Sequence, residues 1–200
     1  MPLPHQEAVL YNLRPFAQDI VNSVLRAWDE CRENPLNGPW LFKRTRANVV
    51  WERIARHAMV SFDGNPSVSV RRRNESLDFF IADQVLFRFK KGDSNGVSSN
   101  YPTQLALAFH DHANNLLGLP DVQRVDVVYR LNALETEIED VMVVAREGER
   151  ILWTESLLQA GDASNVVSIL PEGPAPEEPA GRRVVRPRHN NGAVKKVSGK

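Results

Sequence analysis

Apolar residues recur at helical spacing through the first part of the chain. Leu10, Leu13, Ala17, Ile20, Val24, Ala27 and Cys31 fall on one stripe, flanked by Phe16, Leu25 and Trp28. A proline is tolerated only in the first turn of a helix. Pro15 therefore predicts a main helix that begins near Arg14 and runs to about residue 33, before Pro35. The segment PLNGP reads as a turn. Val50, Trp51, Ile54 and Ala58 predict a second helix over about 46–60 with a basic outer face at Arg53 and Arg56. Lys43, Arg44 and Arg46 lead into it, and DGNP at 63–66 closes it.

The period then changes to two. Val68 and Val70 alternate with polar residues, Leu77, Phe79 and Ile81 share one face, and Val85, Phe87 and Phe89 share another. This predicts a β meander with tight connections at Asn74-Glu75 and Asp83-Gln84. After a loop rich in turn formers at 92–100, Pro102 opens a third helix with Leu105, Phe109 and Leu116 inward, closed by Gly118 and Pro120. Strands follow at 125–131 and 138–146, with a short one at 151–153. Two N-terminal helices, an antiparallel meander, a third helix and further antiparallel strands make an α+β fold, with helices packed on one sheet face. No period of 20–50 residues recurs, which excludes a solenoid.

Composition adds a boundary. The 200 residues are 42% hydrophobic and balance 25 Lys+Arg against 25 Asp+Glu. Split after Leu170, the neutrality dissolves: residues 171–200 hold seven Lys/Arg against three Glu, so the tail is +4 and the first 170 residues are −4. PEGPAPEEPAG places four of the 13 prolines in eleven residues. Such a segment buries too little to offset the entropy of ordering it, so 171–200 is expected to be a disordered Pro-rich spacer with a basic end. Residues 1–170 are then a single α+β domain, with the N-terminal helix at about 14–33 and a core at about 40–160. The basic tail is a place for non-specific phosphate contact.

Cys31 is the one cysteine, which excludes an internal disulfide, and its place on the apolar stripe marks a core residue. No run of about 18 apolar residues occurs, so no membrane span is expected. The N-terminus MPLPHQEAVL lacks a basic and then apolar leader. The expected location is cytoplasmic, with no membrane partner.

The chemistry is sparse. The order helix, three strands, helix, strand is similar to that of the PD-(D/E)xK nucleases, which join a carboxylate on the second strand to an acidic-x-Lys on the third so that metal ligands converge on a phosphate. Here the third strand carries Arg88-Phe89-Lys90, an arginine where the acid belongs. Glu52, Asp78 and Lys90 make only a partial set. Asp78 otherwise reads as an outward strand residue, and Glu52 as part of a surface row with Arg53 and Arg56. His110 and His112, two apart on a helix, point about 200° from each other and cannot share an ion. No zinc, P-loop, Rossmann or hydrolase-elbow spacing occurs, so no metal, cofactor or catalytic residue is assigned. Gly92 and Gly96 in GDSNG read as a polar turn. The basic clusters say more: Arg71-Arg72-Arg73 ends the first strand, Lys90-Lys91 the third, and Lys43-Arg44-Thr45-Arg46 opens the second helix. If the first and third strands are parallel across the second, these ends share a sheet edge and a phosphate-binding face.

The segment RFKKGDSNGVSSNYPTQ at 88–104, then Leu117-Gly118-Leu119-Pro120, Val128-Tyr129-Arg130-Leu131 and Ile151-Leu152-Trp153, resembles a group of small uncharacterised bacterial proteins of mobile-element type. Some of these are encoded beside ImmA/IrrE-type metallopeptidase proteins. The resemblance spans about 45–155 and implies a non-enzymatic regulatory protein, antitoxin-like, with that metallopeptidase as a protein partner. Arg88, Lys90 and Lys91 would form a cationic strand end, leading to Asn100, Thr103 and Gln104 at a helix start where backbone amides face an anion or carboxylate. The rival expectation is a nucleic-acid-binding protein, or a degenerate PD-(D/E)xK-like nuclease, using the basic face Arg71, Arg72, Arg73, Lys90 and Lys91.

Overall fold

A computed structural model of the chain describes residues 3–33, 42–73, 76–93, 95–98, 103–113 and 122–158, all in one unit that spans Met1–Val166. The second unit, Val167–Lys200, and with it the predicted tail, lies outside the described residues. So do the turns predicted at Pro35 and at Asn74-Glu75, and the closing Gly118 and Pro120.

The fold is α+β. Helices α1 (Gln6–Leu13), α2 (Ala17–Glu33) and α3 (Lys43–Ser61) precede strands β1 (Val68–Arg73), β2 (Ser76–Ile81) and β3 (Val85–Lys91). Helix α4 (Gln104–His110) then leads to β4 (Gln123–Leu131), β5 (Ile138–Glu147) and β6 (Arg150–Ser156). The main helix starts where Pro15 requires, but α1 precedes it across a single turn of 3₁₀ helix, Arg14–Phe16. Ile20, Val24, Ala27 and Cys31 bury the α2 stripe, and burial pushes the Cys31 thiol up. No helix among the described residues is long and apolar enough to cross a membrane.

The six strands form one sheet in chain order. All neighbours are antiparallel except β3 and β4, which run parallel and have α4 between them in the chain. The sheet is therefore two three-stranded meanders joined at a parallel seam. The apolar sets of β2 and β3, read from the sequence as two faces, occupy one: Phe79 lies opposite Phe87 and Ile81 opposite Val85. Antiparallel register puts cross-strand partners on the same side, and that side takes α1–α3. Phe62 of the α3 C-cap meets Phe79 and Phe87 edge-on, Phe79 stacks on Phe87 at 5.1 Å, and Val125, Val127, Val141 and Val143 complete this core.

The outer face carries the other strand set, with a small apolar cluster of Phe80, Leu86, Phe109 and Val122 beneath α4. Helix α4 is shorter than predicted. It ends at His110, where Asp111 turns extended (φ −91°, ψ 92°), so His112 is not helical and the 200° separation of the two histidines does not apply. Arg124 fastens this end by donating from its guanidinium to the carbonyls of Ala108 at 3.0 Å and Asp111 at 2.7 Å, which a helix leaves without internal partners.

Candidate functional site

Between the outer sheet face and α4 lies a buried charge cluster. Cross-strand register builds it. Arg71 of β1 faces Asp78 of β2, and Arg88 of β3 faces Asp126 of β4, whose neighbour on β5 is Val144. Arg88 also reaches Asp78, donating from Nε to Oδ1 at 2.5 Å. Charge thus alternates along one row across the sheet. Asp78 is fully buried, not the outward surface residue its alternation suggests, because α4 roofs this side. The Arg88 guanidinium lies 4.1 Å from the centre of the Phe109 ring on α4, a cation–π contact.

Arg146 enters from β5. Its Nη2 donates to His110 Nε2 at 2.6 Å and to Ser98 Oγ at 3.3 Å, and lies 3.5 Å from Asp126 Oδ2. Nε2 accepts, so the His110 ring is neutral with its proton on Nδ1. Burial, reinforced by Arg146, pulls His110 down to about 3. Burial raises Asp126 to about 6, against the pull of Arg146 and Lys90. No described residue hydrogen-bonds either Asp126 oxygen. His112 is held apart, its ring nitrogen Nε2 2.8 Å from the Arg146 carbonyl oxygen.

Lys90 is the exception in this network. It is half-buried and forms no hydrogen bond or ion pair with a described residue, and burial lowers its ammonium below the usual lysine range. With Arg88, His110, Asp126, Arg146 and Ser98 it lines a cavity of about 400 Å³ under α4. Arg88 and Lys90 also line a second cavity of about 210 Å³, on the side of Trp51 and Tyr129. The loop over the first cavity is a hairpin turn: Gly92 bridges Ser98, and Asp93 Oδ1 accepts from the amides of Asn95 and Val97, each at 2.9 Å.

The sheet distributes the other sequence-predicted residues. Lys91 points to the side opposite Lys90 and shares Glu135 with Lys43 and Arg46, so three cations from α3 and β3 converge on one carboxylate. Those cations sit in or beside the first turn of α3, where the helix macrodipole disfavours positive charge, and Glu135 offsets this. Arg71 is exposed on β1 with its guanidinium 5.3 Å from the Phe80 ring centre, and Arg72 is exposed on the other face. Arg73 ends β1 opposite Ser76. Thr103 is the N-cap of α4, its Oγ1 accepting from the Ala106 amide, and Gln104 is exposed in the first turn. Asn100 lies outside the described residues. Glu52 is exposed on α3, in a groove with Arg56 and Arg72 and not in either cavity that Lys90 lines. Asp126, His110 and Arg146 were not among the predicted site residues.

No family model matches the chain, nor does any curated protein or solved structure.

Proposed function

We propose that the protein binds nucleic-acid phosphate without hydrolysing it, at the cationic floor formed by Arg88 and Lys90. One observation carries this reading: the half-buried Lys90 ammonium, which pairs with no described carboxylate, shares its cavity with Arg88 and Arg146. Among the buried or half-buried groups that line this cavity, three cations (Arg88, Lys90, Arg146) face one carboxylate, Asp126, while Asp93 and Glu149 on its wall are exposed. Desolvated cations in excess attract an anion, and phosphate is the multivalent acceptor that fits them. Hydrolysis is not part of the reading. The element order and the places of Asp78 and Lys90 are similar to those of a PD-(D/E)xK site, but Arg88 stands where the middle acid would bind a metal, and it neutralises Asp78.

The test is fluorescence anisotropy of a labelled DNA oligonucleotide over a salt series. Affinity should fall steeply with salt, and Lys90→Ala should weaken binding and reduce the log–log salt slope by about one. Incubation with Mg²⁺ or Mn²⁺ should yield no cleavage products. Binding that Lys90→Ala leaves unchanged sinks the reading.

A second reading rests on the edge strand β1, where Ser69, Val70, Arg71 and Arg72 are all exposed. An open edge with an apolar residue accepts another chain's strand, which suits a regulatory protein with a metallopeptidase-type partner. Co-purification with such a partner tests it; no complex at micromolar concentration removes it.

A further inference from the structure

A groove runs away from the Lys90 site along α3. Asn48, Trp51, Glu52, Arg56 and Met59 present one flank of that helix to Arg72, Ser76 and Leu77 of the β1–β2 hairpin, enclosing about 500 Å³. Asn48, Trp51, Ser76 and Leu77 also line the cavity of about 210 Å³ that ends at Arg88, Lys90 and Lys91. The two spaces are therefore contiguous, with Arg56 and Arg72 on the first and Lys91 on the second against one carboxylate, Glu52, while the Arg88 guanidinium is turned to Asp78 and Phe109 under α4.

Trp51 sits where the spaces meet. It is half-buried against the core, and its indole N–H donates to no described residue. The other two described tryptophans are tied: Trp28 donates to the Thr136 carbonyl and Trp153 to the Pro4 carbonyl. An indole in a cationic groove with its N–H unused is the arrangement that stacks a base while neighbouring cations hold phosphates. From Asn48 to Met59 the helix rises about 16 Å, which at about 3.4 Å per stacked nucleotide admits roughly five.

We infer that this groove binds a single-stranded nucleic acid, with a base stacked on Trp51 and phosphates on Arg72 and Lys91. A duplex keeps its base faces inside its own stack and offers nothing to Trp51. This inference rests on the phosphate-binding reading and adds the strandedness and the base contact.

The experiment uses the full chain and three labelled probes in anisotropy at low salt: a ten-residue oligothymidylate, an abasic ten-mer of the same sugar-phosphate length, and a ten-base-pair duplex. The base-bearing single strand should bind about ten-fold or more tightly than the abasic one. Trp51→Ala should abolish that preference, Trp51→Phe should retain most of it, and the exposed Arg72→Ala, which leaves the core untouched, should weaken both single strands a few-fold. Equal affinity for the base-bearing and abasic strands overturns the inference, as does tighter binding of the duplex. If Lys90→Ala weakens binding while Trp51→Ala, Trp51→Phe and Arg72→Ala all bind at full affinity, the phosphate site stands and the groove falls. If Lys90→Ala also changes nothing, the underlying reading falls with it.

Discussion

Arg88 donates its Nε to Asp78 Oδ1 at 2.5 Å, with both side chains inside the protein. A buried pair of this kind gains little over a well-packed apolar pair of the same volume, but either partner left alone is an uncompensated charge. Asp78→Ala should therefore destabilise the fold by about 3–5 kcal/mol, and Asp78→Leu with Arg88→Met by much less than the two single changes together. Urea denaturation of Asp78→Ala, of each single change and of the double variant measures this. An additive double variant would show that the pair is not coupled.

The pH dependence of stability separates two neighbours. In the unfolded chain an aspartate titrates near about 3.9 and a histidine near about 6.5. Asp126, raised to about 6, keeps its proton in the folded state, so its contribution is complete below about pH 4 and is lost as pH rises through 6. His110, lowered to about 3, stays neutral in the folded state, so its contribution is present above about pH 6.5 and is lost as pH falls through 3. Between pH 4 and 6 the two slopes oppose each other. Relative to the unmodified protein, His110→Gln should tilt stability downward with rising pH by about 1.4 kcal/mol per unit, and Asp126→Asn should tilt it upward by a similar amount. Urea midpoints at pH 4, 5 and 6 decide it; parallel pH profiles for all three proteins would show that the pair does not titrate in this way.

Glu135 holds Lys43, Arg46 and Lys91 at a partly exposed position. Glu135→Gln should cost stability by only about 1 kcal/mol, because surface ion pairs are screened. The same change frees Lys43, Arg46 and Lys91 on the α3 side of β3 and should tighten oligonucleotide binding at low salt. Weaker binding by a normally folded Glu135→Gln protein would contradict phosphate contact on this side of β3.

Gly92 lies where the loop presses on β4. A Cβ there would sit 2.5 Å from Val128 Cγ1, and Val128 is fully buried and cannot swing aside. Gly92→Ala should lift the loop, cost about 1–3 kcal/mol and separate Ser98 from Arg146. Gly64→Ala, at φ +72° with nothing within 4 Å of the added carbon, should cost only the backbone term of about 1–2 kcal/mol. Thermal or urea unfolding of both proteins compares them; equal losses would mean that the contact with Val128 is not the cause.

The fold was legible where one face of an element meets the core. The α2 stripe from Ile20 to Cys31 and the alternation of Phe79, Phe87 and Phe89 identify their elements without help. The site was legible only in part, through Arg88 and Lys90. A charged residue on an alternating strand reads as solvent-facing, and nothing local says that a seven-residue helix will roof the second face over Asp78, Arg124 and Asp126. One signal was present: β4 carries Val125, Val127, Val128 and Tyr129 almost without a break, the composition of a strand covered on both sides, and Arg124 and Asp126 lie within it. The parallel seam was not legible, since neighbouring hairpins predict antiparallel partners.

That seam has a consequence for assembly. Each meander closes on contacts near in sequence, whereas Arg88 meets Asp126 only after the chain between β3 and β4 has been drawn into a loop. The cationic floor around Lys90 borrows Asp126 and Arg146 from the far meander, so neither half of the sheet contains it. A nascent chain released before β5 emerges would carry the basic strand ends without the cavity that orders them. Phosphate binding of the kind proposed would therefore report completed folding.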